Sequence, residues 1–209
     1  MSAKKSNTTK DQGAEAKIKE AARTVFHKKG FDATRTRDIA EAAGINLALL
    51  NYYFRSKNKL FEIIMMETMM QFMQGMVSVF KDEATSLEEK IELVAIRYTD
   101  LMIADPEIPL FILSEIRSNV DNFFDNIPLA KVLMNSVFIE QYKAAIQAGE
   151  AKDVSPLHFI INLMSLTVFP FAASPMLKKV GGLKDKQFEQ LMQERKKLIP
   201  IWIKASLQP

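Results

Sequence analysis

From residue 14 to residue 30 the apolar side chains Ile18, Ala21, Ala22, Val25 and Phe26 recur at i, i+3, i+4, i+7 and i+8, the stripe that one face of an α-helix turns toward a core. Gly30 closes that helix, being free to leave it at positive φ. A short second helix is predicted over about 36–43, with Thr34 or Thr36 near its cap and Ile39, Ala40 and Ala43 facing inward. Gly44 ends it. Asn46 then caps a third helix over 47–54, in which Leu50 and Phe54 are spaced to pack on the first.

The helical period continues to the end of the chain. Ser56 caps a long fourth helix to about 81, and a fifth spans 87–103 before Asp105-Pro106. Further helices are expected over about 110–120, 129–148, 156–169 and 184–206, with Pro200 kinking or ending the turn before it. No segment shows the period-2 alternation of Val, Ile and Thr between turn pairs that marks strands. The expected fold class is therefore all-α, with about nine helices. Residues 1–12, polar and aperiodic with Lys4, Lys5 and Lys10, read as a disordered basic tail. A three-helix head over 13–60 and a helical body over 61–209 complete the expected organisation.

Charge changes this picture, because it is segregated. Residues 1–60 carry 13 basic and 6 acidic side chains, whereas residues 61–209 carry 15 and 19, so the net charge of +3 conceals a basic head on an acidic body. That is the footprint of a polyanion-binding head. With Cys 0 and His 2, disulfides, thiolate nucleophiles and Cys/His zinc sites are excluded. No glycine-rich phosphate loop or nucleophile elbow is present, so an enzyme is not expected, nor a cofactor or metal. No run of apolar residues is as long and unbroken as a membrane span requires, and a soluble, cytoplasmic protein is expected.

Two short helices joined through Ala43-Gly44-Ile45-Asn46 form a helix-turn-helix layout, whose last helix lies in a DNA major groove. If Leu50 and Phe54 point inward, Leu47, Ala48, Asn51, Tyr52 and Tyr53 are left outside. The tyrosine hydroxyls can donate to phosphates, Leu47 and Ala48 can meet thymine methyls, and Asn51 can bond a base edge or a phosphate. Arg35 and Arg37 begin the second helix, while Arg55, Lys57 and Lys59 gather at the start of the fourth. Positive charge there opposes the helix dipole, but beside free backbone N–H groups it makes an anion site.

The run from Thr36 through Asp38-Ile39-Ala40-Glu41-Ala42-Ala43-Gly44-Ile45-Asn46 and on through Leu50-Asn51-Tyr52-Tyr53-Phe54-Arg55-Ser56-Lys57-Asn58-Lys59-Leu60-Phe61 closely resembles the signature of the TetR (tetracycline repressor) family. The resemblance implies a ligand-responsive repressor that binds a double-stranded DNA operator as a homodimer. It implies phosphate contacts at Thr36, Tyr52, Tyr53 and Lys57, and at Arg37 a position that reads a base in some members. Ala48 stands where the family often has glycine and Asn51 where it often has tyrosine, so no operator sequence carries over. The expected DNA-binding set is Arg35, Thr36, Arg37, Asn46, Leu47, Ala48, Asn51, Tyr52, Tyr53 and Lys57.

For the body, the resemblance implies an effector pocket among helices four to seven and dimerisation through the last two helices. The region is rich in Met and Phe, including Phe123 and Phe124, and such surfaces adapt to irregular apolar ligands. The expected pocket residues are Met69, Met73, Tyr98, Met102, Phe111, Phe138 and Met164. Between Asp153 and Leu177 the only ionisable side chain is His158, which favours a small apolar or aromatic effector. The eighth helix is apolar nearly all round, and a subunit interface accounts for that. Phe159, Leu163, Leu166, Leu191 and Trp202 are the expected interface, with Trp202 as anchor. The alternative is a helical adaptor that binds protein partners through this Met/Phe-rich body and binds no DNA.

Overall fold

The structure is a computed structural model that describes residues 3–118 and 129–208, with side-chain environments over 13–118 and 132–208. Phe123 and Phe124, and the end of the helix expected over 110–120, lie outside the described residues. The rest forms eleven helices and no strand: α1 (Ala3–Ala33), α2 (Thr36–Ala42), α3 (Leu47–Phe54), α4 (Lys57–Lys81), α5 (Leu87–Ala104), α6 (Ile108–Ser118), α7 (Leu129–Met134), α8 (Val137–Gln147), α9 (Pro156–Ala172), α10 (Ser174–Gly181) and α11 (Asp185–Leu207).

Several boundaries differ from those read in the sequence. α1 starts at Ala3, so residues 3–12, expected as a disordered tail, continue the helix. Extending a helix that is already nucleated costs little, since each added residue gains a backbone hydrogen bond, and apolar periodicity is blind to such an extension. Gly30, at φ 72° and ψ 177°, breaks α1 as expected before a last turn to Ala33. The helix expected over 129–148 is two, because Ser136 donates its hydroxyl to the Leu133 carbonyl and accepts the Ile139 N–H. α9 runs through Pro170 to Ala172, and α10 follows where no helix was expected. α11 continues to Leu207 through Pro200, which therefore does not end it.

The described chain divides into two compact units. The first comprises Met1–Met70 with Leu110–Ser114, the second Gln71–Pro109 with Glu115–Pro209. The head thus extends past residue 60 because three helices bury too little alone. α4 supplies Leu60, Phe61, Ile64, Met65 and Met69 to join Ile18, Ala22, Phe26, Ile39, Leu50 and Phe54 in its core. The Phe61 ring meets Phe26 edge-on at 5.1 Å and Phe111 at 5.6 Å.

In the second unit α5 packs chiefly on α11 and α9. Its core stacks Phe80, Phe138, Phe159 and Tyr142, the last pair at 4.5 Å and 12°. Burying one such ring contributes about 2 kcal/mol before entropy is counted. α4 has the length and apolar content of a membrane-crossing helix, yet 50% of that apolar window is buried inside the fold. Its hydropathy comes from core residues such as Leu60, Ile64, Met69 and Met76.

Candidate nucleic-acid interface

The turn between α2 and α3 is built by backbone hydrogen bonds. Ile45 N–H reaches back to the Ala40 carbonyl at 3.0 Å and Gly44 N–H to Glu41 at 3.0 Å, while Gly44 takes φ 64°. A side chain at Gly44 would be strained in that backbone. Asn46 then caps α3, its Oδ1 accepting the Leu49 N–H at 2.8 Å. Asn46 is thereby engaged in shaping the helix.

α3 buries Leu50 and Phe54, which fixes what faces out. Tyr52 is 73% exposed, Ala48 and Asn51 are exposed, and Leu47 and Tyr53 are half-buried. The Tyr52 and Tyr53 rings meet edge-on at 5.3 Å, so the two phenols brace each other. Arg35 and Arg37 are exposed at the start of α2, and Thr36 is half-buried between them. Among the described residues no carboxylate pairs with Arg35, Arg37, Arg55 or Lys59. Four exposed cations on and beside the helix-turn-helix that make no ion pair leave the segment a net positive surface, Arg35 feeling only the more distant charge of Asp38.

The cap of α2 is not a threonine. Thr34 is buried and donates to the Gly30 carbonyl at 2.6 Å. Arg35 is the capping residue, and its N–H bonds Asp38 Oδ2 at 3.2 Å. Lys29 bonds the same oxygen at 2.9 Å. These two donors, Lys29 first, hold the Asp38 carboxyl below the usual range.

Lys57 behaves unlike its neighbours. Its ammonium donates to the Phe31 carbonyl at 2.9 Å and the Thr34 carbonyl at 3.0 Å, and lies 4.0 Å from the Phe31 ring centroid. Two of its three protons are spent inside the fold, and nothing in the local sequence signals this. A second feature missed in the sequence joins α1 to α4. Lys19 and Arg23 bond Glu67 at 2.6 and 2.8 Å, and His27 Nε2 lies 3.0 Å from Thr68 Oγ1. Lys19 and Arg23 at i, i+4 were its only trace.

The expected pocket residues separate into three places. Tyr98, Phe138 and Met164 share a cavity of about 180 Å³ with Phe72, Phe80, Val94, Leu133, Ile160 and Leu163. Burial pushes the Tyr98 hydroxyl well up, so it stays neutral among apolar neighbours. Met102 lies instead on a separate cleft of about 160 Å³ beside Phe171 and Phe188. Met69 and Phe111 are buried in the first unit, where the Phe111 ring meets His27 at 4.5 Å and a tilt of 47°, and Met73 is buried without lining the cavity. His158 is exposed at the start of α9 and lines neither space.

The expected interface needs correcting too. Phe159 and Leu163 are each 2% exposed inside the second unit's own core, so they offer no surface to a partner. Leu166 is half-buried, and its carbonyl accepts from Arg195 at 2.6 Å. Leu191 and Trp202 are exposed on α11 together with Leu198 and Ile201, and α9 exposes Leu157, Ile161 and Phe169. The Arg195 guanidinium lies 5.0 Å from the Trp202 ring centroid.

Residues 18–64 match the family model described as "Bacterial regulatory proteins, tetR family". Over 200 residues the chain is 26% identical to the "Probable HTH-type transcriptional regulator YttP" of Bacillus subtilis (strain 168), covering 90% of this chain and 91% of that protein. Among solved structures, a TetR family transcription regulator from Marinobacter aquaeolei VT8 is similar at TM-score 0.65 and 17% identity, covering 96% of this chain and 98% of the other. The regulator FadR from Bacillus subtilis, solved in complex with stearoyl-CoA, is similar at TM-score 0.56 and 18% identity, covering 88% and 96%.

Proposed function

Because this chain belongs to the tetR family of bacterial regulatory proteins, a family of transcriptional regulators and not of enzymes, we propose that it is a repressor released from its operator by a small apolar or aromatic effector. One observation carries the DNA-binding part: α3 buries Leu50 and Phe54 and leaves Ala48, Asn51 and Tyr52 exposed, while Arg35 and Arg37 before it in the chain and Arg55 and Lys59 after it are exposed and make no ion pair among the described residues. Arg35, Thr36, Tyr52 and Tyr53 take phosphates, which position the helix. Arg37, Leu47, Ala48 and Asn51 read base edges. Asn46 and Lys57 hold this surface in shape.

The active species is a homodimer joined through the exposed apolar stripes of α9 and α11, with Trp202 as anchor. Its two α3 helices enter successive major grooves, roughly 34–36 Å apart. The effector occupies the cavity walled by Tyr98, Phe138 and Met164. A cavity of about 180 Å³ suits a ligand of a few fused or branched carbons, with Tyr98 its one hydroxyl partner. α4 carries Lys57 in its first turn and the cavity residues Phe72 and Phe80 further along its length. The stearoyl-CoA bound by FadR is far larger than this cavity, and a smaller effector is the reading for this chain.

The test begins with an operator obtained by random-site selection. Indole, as a probe of the cavity's size, should lower operator affinity, and operator DNA should lower indole affinity by the same factor, since linkage is reciprocal. Equal indole affinity on and off the operator would refute the coupling. No selectable site at all would favour the adaptor.

A further inference from the structure

The cleft that holds Met102 stands apart from the effector cavity. α9 closes at Pro170-Phe171, α10 leads away from it, and Gly182 at φ 62° turns the chain into α11. That elbow places Lys178 of α10 against the first turn of α11, where its ammonium bonds Asp185 at 2.9 Å and faces the Phe188 ring 5.7 Å from the centroid. Below them the cleft encloses about 160 Å³. Its floor is Met102, Phe171 and Phe188, all buried, and the two rings stand at 88° with centroids 6.0 Å apart.

The rim carries Lys178, Asp185 and Glu189. Lys178 and Asp185 neutralise each other, whereas Glu189, one turn further along α11, has no ion-pair partner among the described residues. The rim therefore keeps one negative charge beside an aromatic face. A ring face and a carboxylate together recognise cations, above all alkylated ammonium groups that are weakly hydrated. The protein's own Lys178 already sits in that position, which fixes the sign of charge the cleft accepts. An anion would meet Glu189 and the negative face of Phe188, the Lys178 ammonium being already paired with Asp185.

We propose that this cleft is a ligand site for a small organic cation, an alkylammonium or quaternary ammonium compound, with Lys178 as a tethered competitor and Glu189 as the carboxylate that pairs the ligand. The site does not depend on the effector cavity or on the regulator reading. Tyr98 and Met102, one turn apart on α5, face the two spaces separately.

The test is titration calorimetry of the full chain with choline and with its uncharged carbon isostere, 3,3-dimethyl-1-butanol. Choline should bind saturably and about tenfold more tightly than the isostere, the size of a cation–π contact in a partly desolvated site. Lys178→Met should tighten choline severalfold, because it removes the competing ammonium, and Glu189→Gln, a change on the exposed rim, should weaken it severalfold. Indole should not displace choline. Equal binding of the two probes, choline affinity unmoved by Lys178→Met, or no saturable choline binding to either protein would each overturn the proposal.

Discussion

The Lys57 ammonium donates to the Phe31 carbonyl at 2.9 Å and stands over the ring of the same residue, fastening the first turn of α4 to the segment that launches α2. A charged donor on two carbonyls and a ring face is worth on the order of 2 kcal/mol. Lys57→Met should therefore destabilise the head and weaken operator binding. Because two ammonium protons are already committed, the slope of log K against log salt should stay that of the wild type. Lys57→Arg should restore part of the affinity. A slope shallower by about one unit in Lys57→Met would instead make Lys57 a phosphate contact.

Arg55, between α3 and α4, holds φ at 56°, where a side chain is crowded against its own backbone. Arg55→Gly should raise the thermal midpoint, by about 2–4 °C if the relief is near 1 kcal/mol. The same change removes an unpaired cation, so operator affinity should fall as stability rises. Calorimetry and binding isotherms on one preparation read both effects, and a lowered midpoint would show that the strain is not stored there.

Burial alone would raise the Glu67 carboxyl, but its bonds to Lys19 and Arg23 outweigh that and hold it below its ordinary value of 4.5. A carboxylate lowered in the fold stabilises the protein above the unfolded value, and that contribution is lost as pH falls through the folded value. Between about pH 5 and pH 3 the wild type should lose urea resistance more steeply than Glu67→Gln. Parallel losses in the two proteins would mean that the α1–α4 link contributes nothing to acid sensitivity.

Ile160 lines the effector cavity and is itself half-buried, so a larger side chain has room to turn inward. Ile160→Phe should fill much of the space, keep the helical fold and operator affinity, and abolish the response to indole. Retained response would place the effector elsewhere. Loss of operator binding would mean that the cavity must stay open for the DNA-bound state.

What the sequence could reveal follows from how local each feature is. Ile39, Ala40, Leu50 and Phe54 are spaced by helical geometry around Gly44 and Asn46, and each lies where that spacing put it. The partners of Lys57 lie 26 and 23 residues upstream, which no local pattern encodes. α9 misled for a different reason. A helix apolar on every side gives no period to separate its core face, Phe159 and Leu163, from its exposed face, Leu157 and Ile161. The Met-rich stretch likewise signals burial without telling Met69 in the head from Met164 on the cavity wall.

The measurement that bears most directly on the account is binding to the DNA upstream of the chain's own gene, at two salt concentrations, for wild type and Arg37→Ala/Tyr52→Ala. Both side chains are exposed, and the one packing contact of the pair among the described residues is the edge-on meeting of Tyr52 with Tyr53 at the surface. The expected result is saturable binding that weakens steeply with salt and is abolished by the double substitution while the thermal midpoint is kept. Binding that the substitution leaves intact, or no specific binding there or in a random-site selection, would contradict it.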